Sequence, residues 1–271
     1  MRAATPLDQP RAMGKARLST KVGPRGTCID ALRQSGALKM LFPRNLTTVE
    51  AIIVNTAGGI TGGDEFTIHA SAGEDTRTTL TTQAAERVYR AQPDQVGRLT
   101  TTLDVSANAT LHWVPQETIL YNRANLTRRL SVNLAPGARF VMAEAVIFGR
   151  RAMGERIEEA RFSDRVEIQR AGVPLYRDGT ELAGNIATEL DRPAVAAGAS
   201  AMANLIWVGE ETEGNLTRIR DLIGTTGGAS MIQQDTMAIR LLAEDSFALR
   251  RRLVPALDLM TGNALPLSWR L

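Results

Sequence analysis

The sequence predicts a mainly β protein: a single large domain of many strands, with about two helices confined to its C-terminal third. Three observations predict it. From Thr47 to about Arg170, apolar and polar residues alternate with period two in a composition rich in Thr, Val and Ile, which suits pleated, half-buried strands. Turn signals recur about every 10 to 15 residues through that stretch, the spacing of many strands in one β architecture. Apolar residues at helical spacing occur only late, after Asn215.

Taken in order, residues 1–21 are rich in Arg and Lys, lack the apolar core of a secretory signal and contain Pro6, Asp8 and Pro10. They predict a disordered N-terminal extension ahead of one domain over residues 22–271. Ala51 to Val54 is an apolar strand that runs into a cluster of paired glycines. From Leu99 to Trp113, Leu99, Leu103, Val105, Ala107, Ala109, Leu111 and Trp113 share one parity, broken by Thr101, against polar residues on the other. This predicts a strand pair with one buried face, turned near Ala107-Asn108. Leu126, Leu130, Val132 and Leu134 repeat the alternation, and Ala135-Pro136-Gly137-Ala138 supplies a turn before the apolar run Phe140 to Phe148. The Ala/Gly-rich stretch Ala194 to Ala203 fits helix or strand. Leu216, Ile219, Leu222 and Ile223 predict a helix stopped by Gly224, and Asp245 or Ser246 caps a second that Pro255 limits. No fixed-period repeat is visible, which disfavours a solenoid.

Composition excludes several classes. Hydrophobic residues are 44% and charged residues 23%, ordinary for a globular protein, and no apolar run is long enough for a membrane-spanning helix. Lys plus Arg is 32 against 29 for Asp plus Glu, the basic residues are scattered and aromatics are 4%, which argues against a nucleic-acid module. Only Arg250, Arg251 and Arg252 cluster. Cys28 is the only cysteine, so no intrachain disulfide is possible, and the expected compartment is the cytoplasm.

The glycine cluster Asn55 to Asp64 contains Gly58, Gly59, Gly62 and Gly63. It fails as a phosphate loop because Asp64 stands where a Lys is needed, and it lacks the Gly-x-Gly-x-x-Gly spacing of a dinucleotide site. The reading is a turn between strands whose glycines take positive φ or allow close backbone approach, with Asp64 held by loop amides. Two histidines, His69 and His112, and one cysteine lie far apart without ligand spacing, so no tight metal site is predicted. Weak carboxylate coordination stays open. No Gly-x-Ser-x-Gly elbow exists. Glu117, Glu144, Glu155, Glu158 and Glu159 lie near apolar strands, as a solvated face, as ion pairs with Arg150 or Arg151, or as a carboxylate pair for acid/base work.

Four segments, Asn55 to Asp64 (NTAGGITGGD), Thr81 to Arg90 (TTQAAERVYR), Pro115 to Ala124 (PQETILYNRA) and Phe148 to Glu155 (FGRRAMGE), together resemble the UreD/UreH family of urease accessory proteins in order and spacing. The resemblance extends from about Ala37 over nearly the whole chain. Many relatives carry prolines where Thr56-Ala57 stand here. It implies a β-rich, helix-poor fold and a non-catalytic scaffold, part of a hetero-oligomer. The scaffold would bind UreF, through it the GTPase UreG, and also urease apoprotein. It implies that nickel passes transiently along an internal route, with no tightly bound cofactor; a route that binds weakly can release its ion. Asp64, Thr81, Thr82, Glu117, Glu144 and Asp178 are the passage candidates on that reading. Tyr121, Phe148, Arg150, Met153, Arg250 and Arg251 are the interface candidates, having the residue types enriched at interface centres. The alternatives are a β-rich enzyme using a carboxylate pair, and a purely structural subunit.

Overall fold

The computed structural model describes residues 10–45 and 47–270. The chain winds between two facing sheets. It opens with β1 (Met13–Gly23) and β2 (Gly26–Gly36), an antiparallel pair, then crosses to β3 (Leu38–Leu41) and β4 (Val49–Asn55). From there it alternates: β5 (Glu65–Ala72), β6 (Arg77–Thr82), the short β7 (Glu86–Val88), β8 (Gly97–Val105), β9 (Thr110–Trp113), the short β10 (Thr118–Leu120), β11 (Asn125–Leu134) and β12 (Arg139–Phe148). Strands β5, β8 and β11 join β1 in one parallel stack; β6, β9 and β12 join β4 in the other. The parallel strand β13 (Ala160–Arg170) and its antiparallel partner β14 (Val173–Gly184) complete the seven-stranded sheet.

After the short α1 (Ile186–Asp191), β15 (Ala201–Val208) pairs antiparallel with β12. Next come α2 (Leu216–Ile223), the hairpin β16 (Gly227–Gln233) and β17 (Thr236–Ala243), and α3 (Ser246–Met260). The result is mainly β, with the two longer helices in the C-terminal third.

Three expectations are corrected. Met13–Gly23 is a strand, so the expected disordered extension does not hold for residues 13–21; residues 1–9 lie outside the described residues. Residues 99–113 are two strands turned at Asn108, as expected, but β8 and β9 belong to opposite sheets. Both bury the same parity because both face the space between the sheets. The coiled topology is that of a solenoid: Thr67, Thr100, Arg129 and Arg165 are register partners at intervals of 33, 29 and 36 residues, too uneven to show as a repeat.

Strand β12 explains the apolar run 140–148, since it is covered on both faces. Phe140, Met142, Val146 and Phe148 point between the sheets; Val141, Ala143, Ala145 and Ile147 point to a second core under α2 and α3. Asp245 caps α3 through its side chain, accepting from Ala248 N at 2.8 Å. Pro255 does not end that helix. It is on the exposed side, while Leu249, Leu253, Ala256, Leu257 and Met260 hold the helix on the sheet through the proline.

Candidate functional site

The four segments that carry the resemblance meet on one corner of the coil, at the edge of the sheet that holds β4, β6, β9 and β12. Ile60 bridges Val88 in parallel, β7 pairs with β10, and β10 pairs with the end of β12. Side chains tie the segments together. Asn55 Nδ2 donates to Gly59 O at 2.9 Å and to Glu86 Oε1 at 3.2 Å. Tyr89 donates to Gly58 O at 3.2 Å and meets Tyr121 edge-on at 5.1 Å. The Arg150 guanidinium lies 4.4 Å over the Tyr121 ring and pairs with Glu155 at 2.8 Å. Met153, 75% exposed, stands nearby in sequence on the last of these segments.

The glycines are needed for close approach here. A Cβ at Gly59 would meet the Tyr89 ring at 2.3 Å and Arg87 O at 2.7 Å; one at Gly62 would meet Gln95 Cβ and Ala91 Cβ at 2.7 and 2.8 Å. Gly58 and Gly63 have φ of 80° and 86°. Asp64 is buried and holds the loop closed: Oδ1 accepts from Ala12 N and Oδ2 from Thr61 N, each at 2.8 Å.

Behind this corner a line of polar groups enters the interior. Glu86, whose carboxyl burial pushes up to about 7 against the opposing Asn55 hydrogen bond, is the register partner of Thr118. Thr118 Oγ1 accepts from Arg128 Nη1 at 3.2 Å. Arg128 is buried and forks onto Asp164 at 2.9 and 2.6 Å, with Glu144 Oε2 3.4 Å from its Nη2. Burial disfavours the guanidinium charge, but Asp164 and Glu144 outweigh it and raise the Arg128 pKa. Glu144 accepts from Trp113 Nε1 at 3.1 Å, while its Oε2 has no hydrogen-bond partner among the described residues. Burial raises its pKa despite Arg128. Its register partner is Asn204, which donates to Asp178 at 2.7 Å; Arg240 closes the line at Asp178, at 2.6 Å, where it reaches solvent.

Of the passage candidates, then, the structure brings Glu144 and Asp178 into one line. Thr81 and Thr82 lie on β6, the first donating to Val114 O at 2.8 Å, the second to Ala84 O at 3.0 Å. Glu117 is buried against Arg250 at 2.7 Å, in a separate knot where Arg250 also lies 5.0 Å over the Trp269 ring. Among the interface candidates Tyr121, Arg150 and Met153 are at the corner. Phe148 is instead core, buried edge-on to Phe162 at 6.4 Å, and Arg250 faces inward. Arg251 is exposed, whereas Arg252 donates to Ile223 O at 3.0 Å, so the three-arginine cluster points three ways.

Sequence reasoning passed over Arg128, Asp164, Asn204 and Arg240, and left Glu86 in the second segment without a role, open between an interface and a buried ion-paired cluster. A signal existed for two of them: Arg128 interrupts the apolar parity of Leu126, Leu130 and Val132, and Asp164 that of Phe162, Val166 and Ile168. A charge on the buried parity of a strand must be partnered. No group of three or more His, Cys, Asp or Glu side chains placed to hold a metal occurs among the described residues.

Coiled parallel strands carrying a charged line through their core define a β-rich protein whose distinguishing chemistry is internal. A family model described as UreD urease accessory protein matches residues 12–269, and the chain belongs to that family. Its relatives include urease accessory protein UreD of Roseobacter denitrificans, 55% identical over 100% of this chain and 99% of that one. UreD of Ruegeria pomeroyi is 47% identical over 93% and 98%. UreD 1 of Brucella ovis is 40% identical over 97% and 95%.

Proposed function

We propose that this urease accessory protein acts in nickel delivery as a non-catalytic scaffold in the cytoplasm. On this reading it binds UreF, through UreF the GTPase UreG, and urease apoprotein, and lets nickel pass toward the urease active site without storing it. The observation that carries the reading is the polar line from Glu86 through Thr118, Arg128, Glu144 and Asn204 to Asp178. Its carboxylates and the Thr118 hydroxyl are oxygen ligands, which bind a divalent ion without the grip of thiolates. Glu144 Oε2, buried and without a hydrogen bond, is a carboxylate oxygen in the middle of this line, 3.4 Å from the Arg128 guanidinium. The Tyr89, Tyr121, Arg150 and Met153 corner supplies the aromatic, Arg and Met side chains of a docking surface.

The test is co-expression with UreF, UreG and urease, followed by size exclusion and nickel analysis of the urease. Recovery of one complex, with Glu144→Gln and Asp178→Asn leaving the complex intact but lowering nickel in urease, supports the reading. A chain that joins no complex, or full nickel loading with both substitutions present, overturns it.

A further inference from the structure

The outer face of the seven-stranded sheet carries an array of cations that the fold does not use. Two adjacent rows run across it. One joins Lys15, Thr67, Thr100, Arg129 and Arg165; the other joins Arg33, Arg17, His69, Thr102, Ser131, Glu167 and Arg177. Their inward neighbours, such as Ala16, Leu18, Leu130 and Val166, are buried, so alternation turns these rows outward. All six cations are exposed, and among the described residues none of them makes an ion pair. Glu167 is the one carboxylate in the two rows.

This arrangement costs stability. Arg17 stands directly opposite Arg33, and Arg129 opposite Arg165, and like charges in directly opposed positions of a sheet repel. Charges on edge strands protect against edge-to-edge pairing, but only β2 and β14 are edges; Arg17, Arg129 and Arg165 are on inner strands. We infer that this basic face is a docking surface for an acidic protein surface. The inference rests on the scaffold reading above and names the face that one of its protein partners would use. The cations form two groups, on β1–β2 and β11–β14, separated by β5 and β8; at the usual strand spacing the gap is about 14 Å. The strip between them is Thr67, His69, Thr100 and Thr102, which carries no Lys or Arg; His69 Nε2 lies 2.6 Å from Asp104 Oδ2 in the next row. The rows hold no Phe, Tyr or Trp on which bases could stack, which favours protein over single-stranded nucleic acid.

The experiment measures binding of the purified chain to urease apoprotein and to UreF at low and at about physiological salt. A 20-base-pair DNA duplex serves as a third probe. Two variants are compared with the parent: Arg129→Gln/Arg165→Gln/Arg177→Gln and Lys15→Gln/Arg17→Gln/Arg33→Gln. Exposed Gln replacements leave the core untouched, and unchanged melting verifies this. The inference expects one protein partner to lose about tenfold or more in affinity with added salt and in at least one triple variant, with a flatter salt dependence in that variant. Parent-like binding of both proteins by both variants, salt-independent binding, or tighter capture of the DNA than of either protein would overturn it. Nickel loading in cells lacking this chain separates the two failures. Full loading there removes the maturation reading; lost loading together with salt-independent binding leaves that reading and removes the basic face.

Discussion

Arg128 and Asp164 meet in register on adjacent parallel strands, side chains turned inward, with two guanidinium nitrogens on two carboxylate oxygens at 2.9 and 2.6 Å. The pair is buried between two sheets whose other inward positions are mostly Leu, Val, Ile and Phe. Burying both ions has a desolvation cost that their attraction repays only when the geometry is good and further hydrogen bonds are made, as Thr118 makes here.

Removing one partner leaves the other ion buried alone. Arg128→Met is therefore expected to lower stability by about 3 to 5 kcal/mol, with Asp164 left uncompensated and Glu144 losing its cation. Arg128→Met combined with Asp164→Leu is expected to recover the part of that loss that comes from the uncompensated Asp164, with Glu144 still lacking its cation. Urea unfolding of the two variants against the parent checks this, and equal loss in both would show that the pair does not govern stability.

Glu86 gives a pH signature of opposite character. Its folded pKa of about 7 is above the ordinary 4.5, because burial disfavours the carboxylate. The folded state holds the proton more tightly, so this contribution to stability is fully present below pH 4.5 and is lost as the pH rises to about 7. Glu86→Gln keeps an acceptor for Asn55 and never ionises. The variant is expected to melt with the parent near pH 4 and above it at pH 8; thermal melts at both values decide it.

Gly59 tests the corner. With φ of 155° and the Tyr89 ring 2.3 Å from where a Cβ would stand, Gly59→Ala must move either the ring or the Arg87 carbonyl. A cost of about 1 to 3 kcal/mol is expected from strain and displaced packing. The Tyr89–Tyr121 contact should loosen with it, which near-UV circular dichroism would report, while far-UV spectra stay unchanged.

How much of this was legible in the sequence differed by length scale. Alternation marked β8, β9, β11 and β12 because each buries one parity or, in β12, both faces. It could not say that β8 and β9 face each other across a core instead of pairing, since Leu103 and Leu111 are buried on the same parity in either arrangement. Coil intervals of 33, 29 and 36 residues left no repeat to find. Local periodicity also gave α2 and the start of α3, yet Pro255 misled because packing of Leu253, Leu257 and Met260 overrides the lost backbone donor. At the site, Glu144 and Asp178 came from the resemblance, whereas their link through Asn204 needs β14, β15 and β17 in place.

His112 supplies the remaining test. It is on the outer face of β9, half-buried beside Thr79, whose Oγ1 is 3.4 Å from Nδ1, on the floor of a cavity of about 580 Å³ shared with Glu50, Arg77 and Arg139. Burial lowers its pKa from 6.5 to about 4. Between those values the unfolded chain binds the proton and the folded one does not, so stability due to neutral His112 is fully present above pH 6.5 and is lost as the pH falls toward 4. His112→Gln, which stays neutral and can still reach Thr79, removes this dependence. The variant is expected to melt close to the parent at pH 7.5 and above it at pH 5. Because other groups titrate equally in both proteins, the difference between the two melting curves isolates His112; a constant difference across pH would mean that the imidazole takes up its proton at the same pH in the folded and the unfolded chain, so that burial does not shift it.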